Sequence, residues 1–170
     1  MSSINCHEWY ALYVKSRHEF VTNNELLKKG IESYLPAVTR LRKWKDRKKL
    51  VDFPLFPGYL FVFIDPNPEA FLDVLKTRGV VTFVALEPGH PTPVSPQEIE
   101  SLRIILQSGR ELNLYPSLKE GTSVRVKRGP LKGAEGILKK MESHYVFHVN
   151  IGILGRSVGV KLWADDIETI

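Results

Sequence analysis

The chain carries one cysteine, Cys6, in 170 residues. A lone thiol cannot build an internal disulfide framework, nor supply the paired thiolates of a zinc ribbon or finger. No apolar run approaches the roughly 20 residues that cross a bilayer as a helix. The leading residues, Met1 to Glu8, have neither the basic start nor the apolar stretch of a signal peptide. A protein of the reducing cytoplasm without a membrane partner is therefore expected, and a monomer is expected as well. Catalytic signatures are missing too. The five histidines, His7, His18, His90, His144 and His148, are scattered. His144 and His148 are four apart in a strand-like segment, where that spacing does not converge on a metal as it would on a helix. Gly129–Gly136 is glycine-rich but lacks the Gly-Lys-Ser/Thr ending of a phosphate loop and precedes a strand instead of a helix. There is no nucleophile elbow, and Asp165-Asp166 reads as a turn. A non-enzymatic protein without cofactor or metal is the expectation.

What is present is organised around Phe53-Pro54-Leu55-Phe56-Pro57-Gly58-Tyr59-Leu60-Phe61-Val62-Phe63-Ile64. Tyr59 to Ile64 is continuously apolar and too short for an ordinary helix, so it predicts a strand covered on both faces. Alternation sends Tyr59, Phe61 and Phe63 to one side and Leu60, Val62 and Ile64 to the other. The even side reads as core. The odd side, with a ring at every position, reads equally as core or as a docking surface. Charge is also localised. Of the net +5, residues 40–49 alone hold seven Lys or Arg against one Asp, and a local basic segment of this kind suits a polyanion.

Residues 8–14 predict a first strand. Ser16-Arg17-His18-Glu19 matches a capping box opening a helix to about Lys29, with Phe20, Leu27 and Leu26 inward and Gly30 as its stop. Residues 31–42 look extended, and the basic segment turns back near Asp46 as a protruding hairpin. Asn67-Pro68-Glu69 starts a second helix with Phe71, Val74 and Leu75 inward and Gly79 as its end. Residues 80–86 predict another strand. Ser95-Pro96-Gln97-Glu98 is a second capping box, opening a helix with Ile99, Leu102 and Leu106 on one stripe. The expected organisation is an α+β domain over 1–107, a flexible linker over 108–119, and a small all-β barrel over 120–170, whose closely spaced strands and seven glycines oppose a helical state.

Val124-Arg125-Val126-Lys127-Arg128-Gly129-Pro130-Leu131-Lys132-Gly133-Ala134-Glu135-Gly136-Ile137 resembles a KOW motif. Val124 and Val126 would point into the barrel, Gly129-Pro130 and Lys132-Gly133 would turn the chain, and Gly136 would permit a bend. Ahead of it, Trp9-Tyr10-Ala11-Leu12-Tyr13-Val14-Lys15, Pro54-Leu55-Phe56-Pro57-Gly58-Tyr59-Leu60-Phe61-Val62 and Thr77-Arg78-Gly79-Val80 resemble, in order and spacing, the NGN domain of the NusG family of transcription elongation factors. Pro54–Val62 is similar to the specialised paralogue RfaH. Lys15–Glu19, Trp44–Lys49 and Leu154–Val158 look like the UpxY antiterminators. The resemblance implies an antiparallel NGN sheet flanked by about three helices, joined to an SH3-like KOW barrel. It implies a factor that binds the clamp helices of the largest catalytic subunit of RNA polymerase and suppresses pausing, with an operon-specific antitermination role. Carried over by residue, Phe56, Pro57, Tyr59 and Phe61, with Phe83 and Leu102 beside them, would meet polymerase. Lys15, Arg17, His18 and Arg78 would face non-template DNA, and the tip with Lys43, Lys45, Arg47 and Lys48 would lie near the duplex. The KOW domain would recruit Rho or a small-subunit ribosomal protein. The competing expectation is a KOW-containing RNA-binding or ribosome-associated protein with no part in polymerase binding.

Overall fold

The computed structural model describes residues 6–170. The leading residues 1–5, on which part of the targeting expectation rests, lie outside them. The chain divides into two compact units, Met1–Pro93 and Val94–Ile170.

The first unit runs β1 (Glu8–Val14), α1 (Glu19–Lys28), β2 (Glu32–Tyr34), β3 (Ala37–Lys43), β4 (Lys48–Pro54), β5 (Tyr59–Ile64), α2 (Pro68–Leu75) and β6 (Val80–Phe83). Its sheet has the antiparallel order β2-β5-β1-β6, with β5 central as its apolar run dictates. Pairing Tyr10 with Val62 and Leu12 with Leu60 puts the even residues of β1 and β5 on one face. That face forms a core with Leu26 of α1 and Val74 of α2. Strands β3 and β4 form a separate two-stranded hairpin, as the basic segment suggests.

Helix α1 corrects two expectations. Ser16 is not its cap: the helix begins at Glu19 behind His18, with no side-chain cap bond. Arg17 has a φ of 62°, a left-handed conformation that cannot continue a right-handed helix. The inward stripe is Glu19, Thr22 and Leu26, while Phe20 and Leu27 are 39% and 50% exposed. Polar residues take the inner positions because each finds a backbone partner there. Glu19 Oε1 accepts the Gly58 N–H at 3.0 Å, and the Thr22 hydroxyl donates to the Arg78 carbonyl at 2.9 Å. Gly30 stops the helix as expected, at a φ of 76°. Asn67 caps α2, accepting the Ala70 N–H at 2.8 Å. Val74 is buried and Phe71 packs at the core edge, but Leu75 is exposed and not inward.

Strand β7 (Pro93–Val94) carries the chain into the second unit, which continues with α3 (Pro96–Gln107), β8 (Asn113–Pro116), β9 (Thr122–Val126), β10 (Glu135–Met141), β11 (His144–Ile151), β12 (Arg156–Leu162) and β13 (Ile167–Thr169). Strands β8 to β13 form one antiparallel sheet, ordered β13-β9-β10-β11-β12-β8. Val124, Val126, Val146, Phe147, Val149, Ile151, Val158, Val160 and Leu162 are its buried apolar residues. The second capping box is also not one: Ser95 makes no side-chain cap bond, and Glu98 instead accepts the Gly152 N–H at 3.4 Å. Burial raises the Glu98 carboxyl above its ordinary range. Ser101 accepts the Glu135 N–H at 3.0 Å, so α3 groups by its contacts with the C-terminal strands, although the sequence expectation joined it to the first domain. Its buried stripe is Ile99, Ser101, Leu102 and Ile105; Leu106 is only half-buried.

The flexible linker is the largest correction. Its residues 113–116 are a strand on the edge of β12, pairing Tyr115 with Ser157 and Leu114 with Val158. Ser117 N–H donates to the Gly155 carbonyl at 3.1 Å. Asn150 bonds both the N–H and the carbonyl of Leu118, at 3.1 and 2.8 Å, and the Ser157 hydroxyl donates to the Pro116 carbonyl at 3.1 Å. Gly159 leaves the space that the Tyr115 ring fills. Only 108–112 remain outside regular structure between α3 and β8.

Candidate functional site

Three surfaces carry the residues singled out by the sequence. The first is the odd face of the first unit's sheet. Register places Trp9 opposite Phe63, Ala11 opposite Phe61 and Tyr13 opposite Tyr59, while Tyr34 of β2 pairs with Phe61. The rings contact in sequence: Trp9–Phe63 at 5.0 Å, Tyr13–Tyr59 at 5.5 Å and Tyr34–Phe61 at 6.5 Å between centroids. Spacings of this size give aromatic pairs a favourable edge or offset geometry. Phe56 and Phe61 are buried, Tyr59 and Phe63 half-buried, Pro57 exposed, and Tyr13 is 44% exposed. The face is thus an aromatic ladder whose accessible end is the Tyr13–Tyr59 pair.

Gly58 fixes that end. Its φ of 88° requires glycine, and its carbonyl accepts the Val14 N–H at 2.8 Å. With its own N–H on Glu19, the turn that delivers Tyr59 is tied to both β1 and α1. Phe83 does not stand beside Tyr59. It pairs with Leu12, so it faces the opposite, helix-side core, where its ring meets those of Tyr10 and Phe71 edge-on at 6.0 and 5.1 Å. Burial, with Glu8 accepting its hydroxyl at 2.7 Å, pushes the Tyr10 phenol well above its ordinary range. Leu102 is fully buried on α3 of the second unit.

The second surface gathers Lys15, Arg17, His18 and Arg78 around Gly79. Lys15 N–H donates to the Gly79 carbonyl and His18 N–H to the Lys15 carbonyl, at 2.8 and 3.0 Å. His18 Nδ1 lies 2.8 Å from the Ser16 carbonyl. Gly79 has a φ of 90°, and a Cβ there would overlap the Thr22 hydroxyl and crowd His18. The turn after β1 and the turn before β6 are therefore one structural unit, with the Lys15, Arg17 and Arg78 side chains exposed.

The third surface is the β3–β4 hairpin. Arg40 pairs with Val51, Arg42 with Lys49 and Lys43 with Lys48, and Trp44 N–H closes the turn on the Arg47 carbonyl at 2.8 Å. Period-two alternation then sorts the cations onto two faces. Arg40, Arg42, Trp44, Arg47 and Lys49 share one, and Lys43 and Lys48 occupy the other with Leu41 and Leu50. Lys45 stands at the tip. Arg42 and Arg47 each place a guanidinium carbon over the Trp44 ring, 5.5 and 5.4 Å from its centre. Among the described residues none of these cations enters an ion pair. Trp9, Tyr13 and Tyr34 were not among the docking candidates. Each could be found only by knowing which residues stand opposite one another.

In the second unit the two turns of the glycine-rich motif form where they were read. Val124 and Val126 are buried; Gly129 and Gly133 take φ values of 84° and 90° on either side of exposed Pro130 and buried Leu131. Gly133 N–H returns to the Val126 carbonyl at 3.0 Å. Gly136 serves close approach and not a bend, since a Cβ would overlap the His148 carbonyl oxygen. His144 and His148 hold no metal-type cluster among the described residues.

The model of the family described as "Transcription termination factor nusG" matches residues 7–103, which covers every residue of the first two surfaces and of the hairpin. The chain is 24% identical over 182 residues to the transcription termination/antitermination protein NusG of Borreliella burgdorferi, covering 95% of this chain and 98% of that one. It is 27% identical over 177 residues to the NusG of Halalkalibacterium halodurans, again covering 95% and 98%. Among solved structures, that of Thermotoga maritima NusG, described for its domain interaction, aligns over 96% of this chain and 97% of its own at a TM-score of 0.53 and 23% identity. With a first unit of that architecture, a second unit whose antiparallel sheet carries the KOW-like turn, and a family match over more than half its length, the chain belongs to the NusG family of transcription termination/antitermination factors.

Proposed function

We propose that this NusG-family factor binds RNA polymerase through the aromatic face of its first sheet, meeting the clamp helices of the largest catalytic subunit, and there suppresses pausing as an operon-specific antiterminator. The observation that carries the proposal is the aromatic ladder, and above all its accessible Tyr13–Tyr59 end. A helix pair offers an apolar ridge, and tyrosine and phenylalanine are the side chains that anchor such contacts. Pro57, Tyr59, Tyr13 and Phe63 supply the accessible part of this surface, with Phe56 and Phe61 buried within it; Phe83 lies on the other face. Lys15, Arg17, His18 and Arg78 face the non-template strand near the transcription bubble, and the hairpin lies along the adjoining duplex. The KOW unit recruits Rho or a small-subunit ribosomal protein, and the factor works as a cytoplasmic monomer.

Binding of the full chain to core RNA polymerase, measured after nuclease treatment, tests this. Tyr59→Ala should lose about 2 kcal/mol of binding, close to thirtyfold, and lengthen polymerase pauses relative to the parent. It should melt near the parent, because half-buried Tyr59 is not the fully enclosed aromatic whose truncation costs about 3–5 kcal/mol. A well-folded Tyr59→Ala that binds polymerase normally would place docking elsewhere. Polymerase lost on nuclease treatment would favour an RNA-binding KOW protein instead.

A further inference from the structure

Trp44 stands at the hairpin tip, 40% exposed, where an aromatic ring in a basic segment would ordinarily be assigned to stacking on a base. Its surroundings argue otherwise. Arg42, two residues earlier on the same strand face, and Arg47, directly across the turn, both hold their guanidinium carbons about 5.5 Å from the ring centre. Distances of this size are within cation–π range. Two guanidiniums repel each other and, without the ring, would spread into solvent. A guanidinium lying over a ring keeps its N–H edge free, and that edge is what pairs with two phosphate oxygens at once.

Spacing supports the same assignment. Arg40 and Arg42 are two residues apart on one face of β3, about 7 Å along the strand, which is close to two base-pair rises of duplex DNA. A two-stranded ribbon also fits the duplex major groove. Lys49, opposite Arg42, extends the row. The charges are unspent, since none of them is ion-paired among the described residues.

We infer that Trp44 is a positioning residue: its ring holds Arg42 and Arg47 as an oriented pair that grips backbone phosphates, and it does not read or stack on bases. This rests on the proposal that the hairpin contacts nucleic acid. It adds that the contact is to phosphate, through arginine, and indifferent to whether the bases are paired.

The test is fluorescence anisotropy of the full chain on a duplex and on its single strand, each titrated with salt. Trp44→Ala and Trp44→Leu should each weaken both forms several-fold. Trp44→Phe, which keeps a π face, should recover most of the loss, whereas leucine fills the space without one. The Arg42→Ala/Arg47→Ala double variant should flatten the duplex salt dependence by about 1.8 log units per log unit of salt, for two lost phosphate contacts. Adding Trp44→Ala to it should change nothing more. Loss confined to the single strand, rescue by leucine equal to that by phenylalanine, or a full tryptophan effect without the arginines would overturn the positioning role while leaving the hairpin a nucleic-acid contact. A parent that binds neither form in a salt-dependent way would remove the hairpin contact itself, and the Trp44 role with it.

Discussion

Replacing Glu19 with alanine should damage the docking surface from beneath. The carboxylate is 6% exposed and accepts the N–H of Gly58 at 3.0 Å, one residue before Tyr59. Alanine leaves that buried donor without a partner. An orphaned buried polar group costs about 1–3 kcal/mol, with the upper half applying when the lost partner was charged. A destabilisation of about 2–3 kcal/mol is therefore expected. Glutamine keeps a carbonyl oxygen in reach and loses only the charge assistance, so Glu19→Gln should cost about 1 kcal/mol. Urea unfolding followed by tryptophan fluorescence suits the measurement, because Trp9 is buried while Trp44 and Trp163 are 40% and 79% exposed. At a typical slope of 1–3 kcal/mol per molar urea, the midpoint of the alanine variant should fall by about 1 M. Exchange of the Gly58 amide should quicken in parallel, by up to about a hundredfold if the opening is local. A Glu19→Ala variant within 0.5 kcal/mol of the parent, with Gly58 still protected, would refute the reasoning. So would a glutamine variant no better than alanine.

Gly79→Ala should destabilise the first unit by about 2–4 kcal/mol, from a left-handed φ together with displacement of the Thr22 hydroxyl from the Arg78 carbonyl; Thr22→Ala in the same chain should recover part of that in a denaturant titration, and no recovery would place the strain elsewhere. Asn150→Ala removes both bonds to Leu118, so amide exchange at Ser117 and Leu118 should accelerate about tenfold or more while β9 to β11 stay protected; uniform acceleration across the sheet would contradict a locally docked segment. Desolvation, then the nearby charge of Lys139, holds the His148 imidazole below its ordinary 6.5, which keeps it neutral in the fold. The unfolded chain then binds more protons as pH falls below 6.5, so stability is full above that value and declines towards the lowered folded value. His148→Gln should flatten this slope in thermal melts at graded pH, and an unchanged slope would assign it to another group.

The two Ser-x-x-Glu patterns, Ser16–Glu19 and Ser95–Glu98, show what local sequence cannot decide. Each matches a capping box residue for residue, and neither forms one. In both, the glutamate reaches a glycine N–H far along the chain, Gly58 in one case and Gly152 in the other. A local cap and a distant backbone donor compete for one carboxylate, and the donor does not appear in the window that suggests the cap. Asn67 had no such rival and caps α2 as read. The same asymmetry hid β8: four residues, Asn113–Pro116, are too short for a period, and their partner strand begins forty residues later, at Arg156.

Alternation within a strand is legible because it needs no partner, and the two faces of β5 fell out as Tyr59, Phe61 and Phe63 against Leu60, Val62 and Ile64. What stands beside a face depends on register, and register is a long-range property. Phe83 is apolar, aromatic and close in sequence to a sheet edge, yet its pairing with Leu12 turns it to the helix side. Trp9, Tyr13 and Tyr34 come to the aromatic side by the same rule. The hairpin repeats the lesson with charge. Seven cations in residues 40–49 read as one basic patch, but a ribbon has two sides. The pairing of Arg42 with Lys49 and of Lys43 with Lys48 divides them. Only one side carries a ring, and both of the arginines nearest to it hold their guanidinium carbons within 5.5 Å of its centre. A polyanion that met the other side would find two lysines and two leucines. The face with Trp44 is therefore the one on which substitutions should be felt.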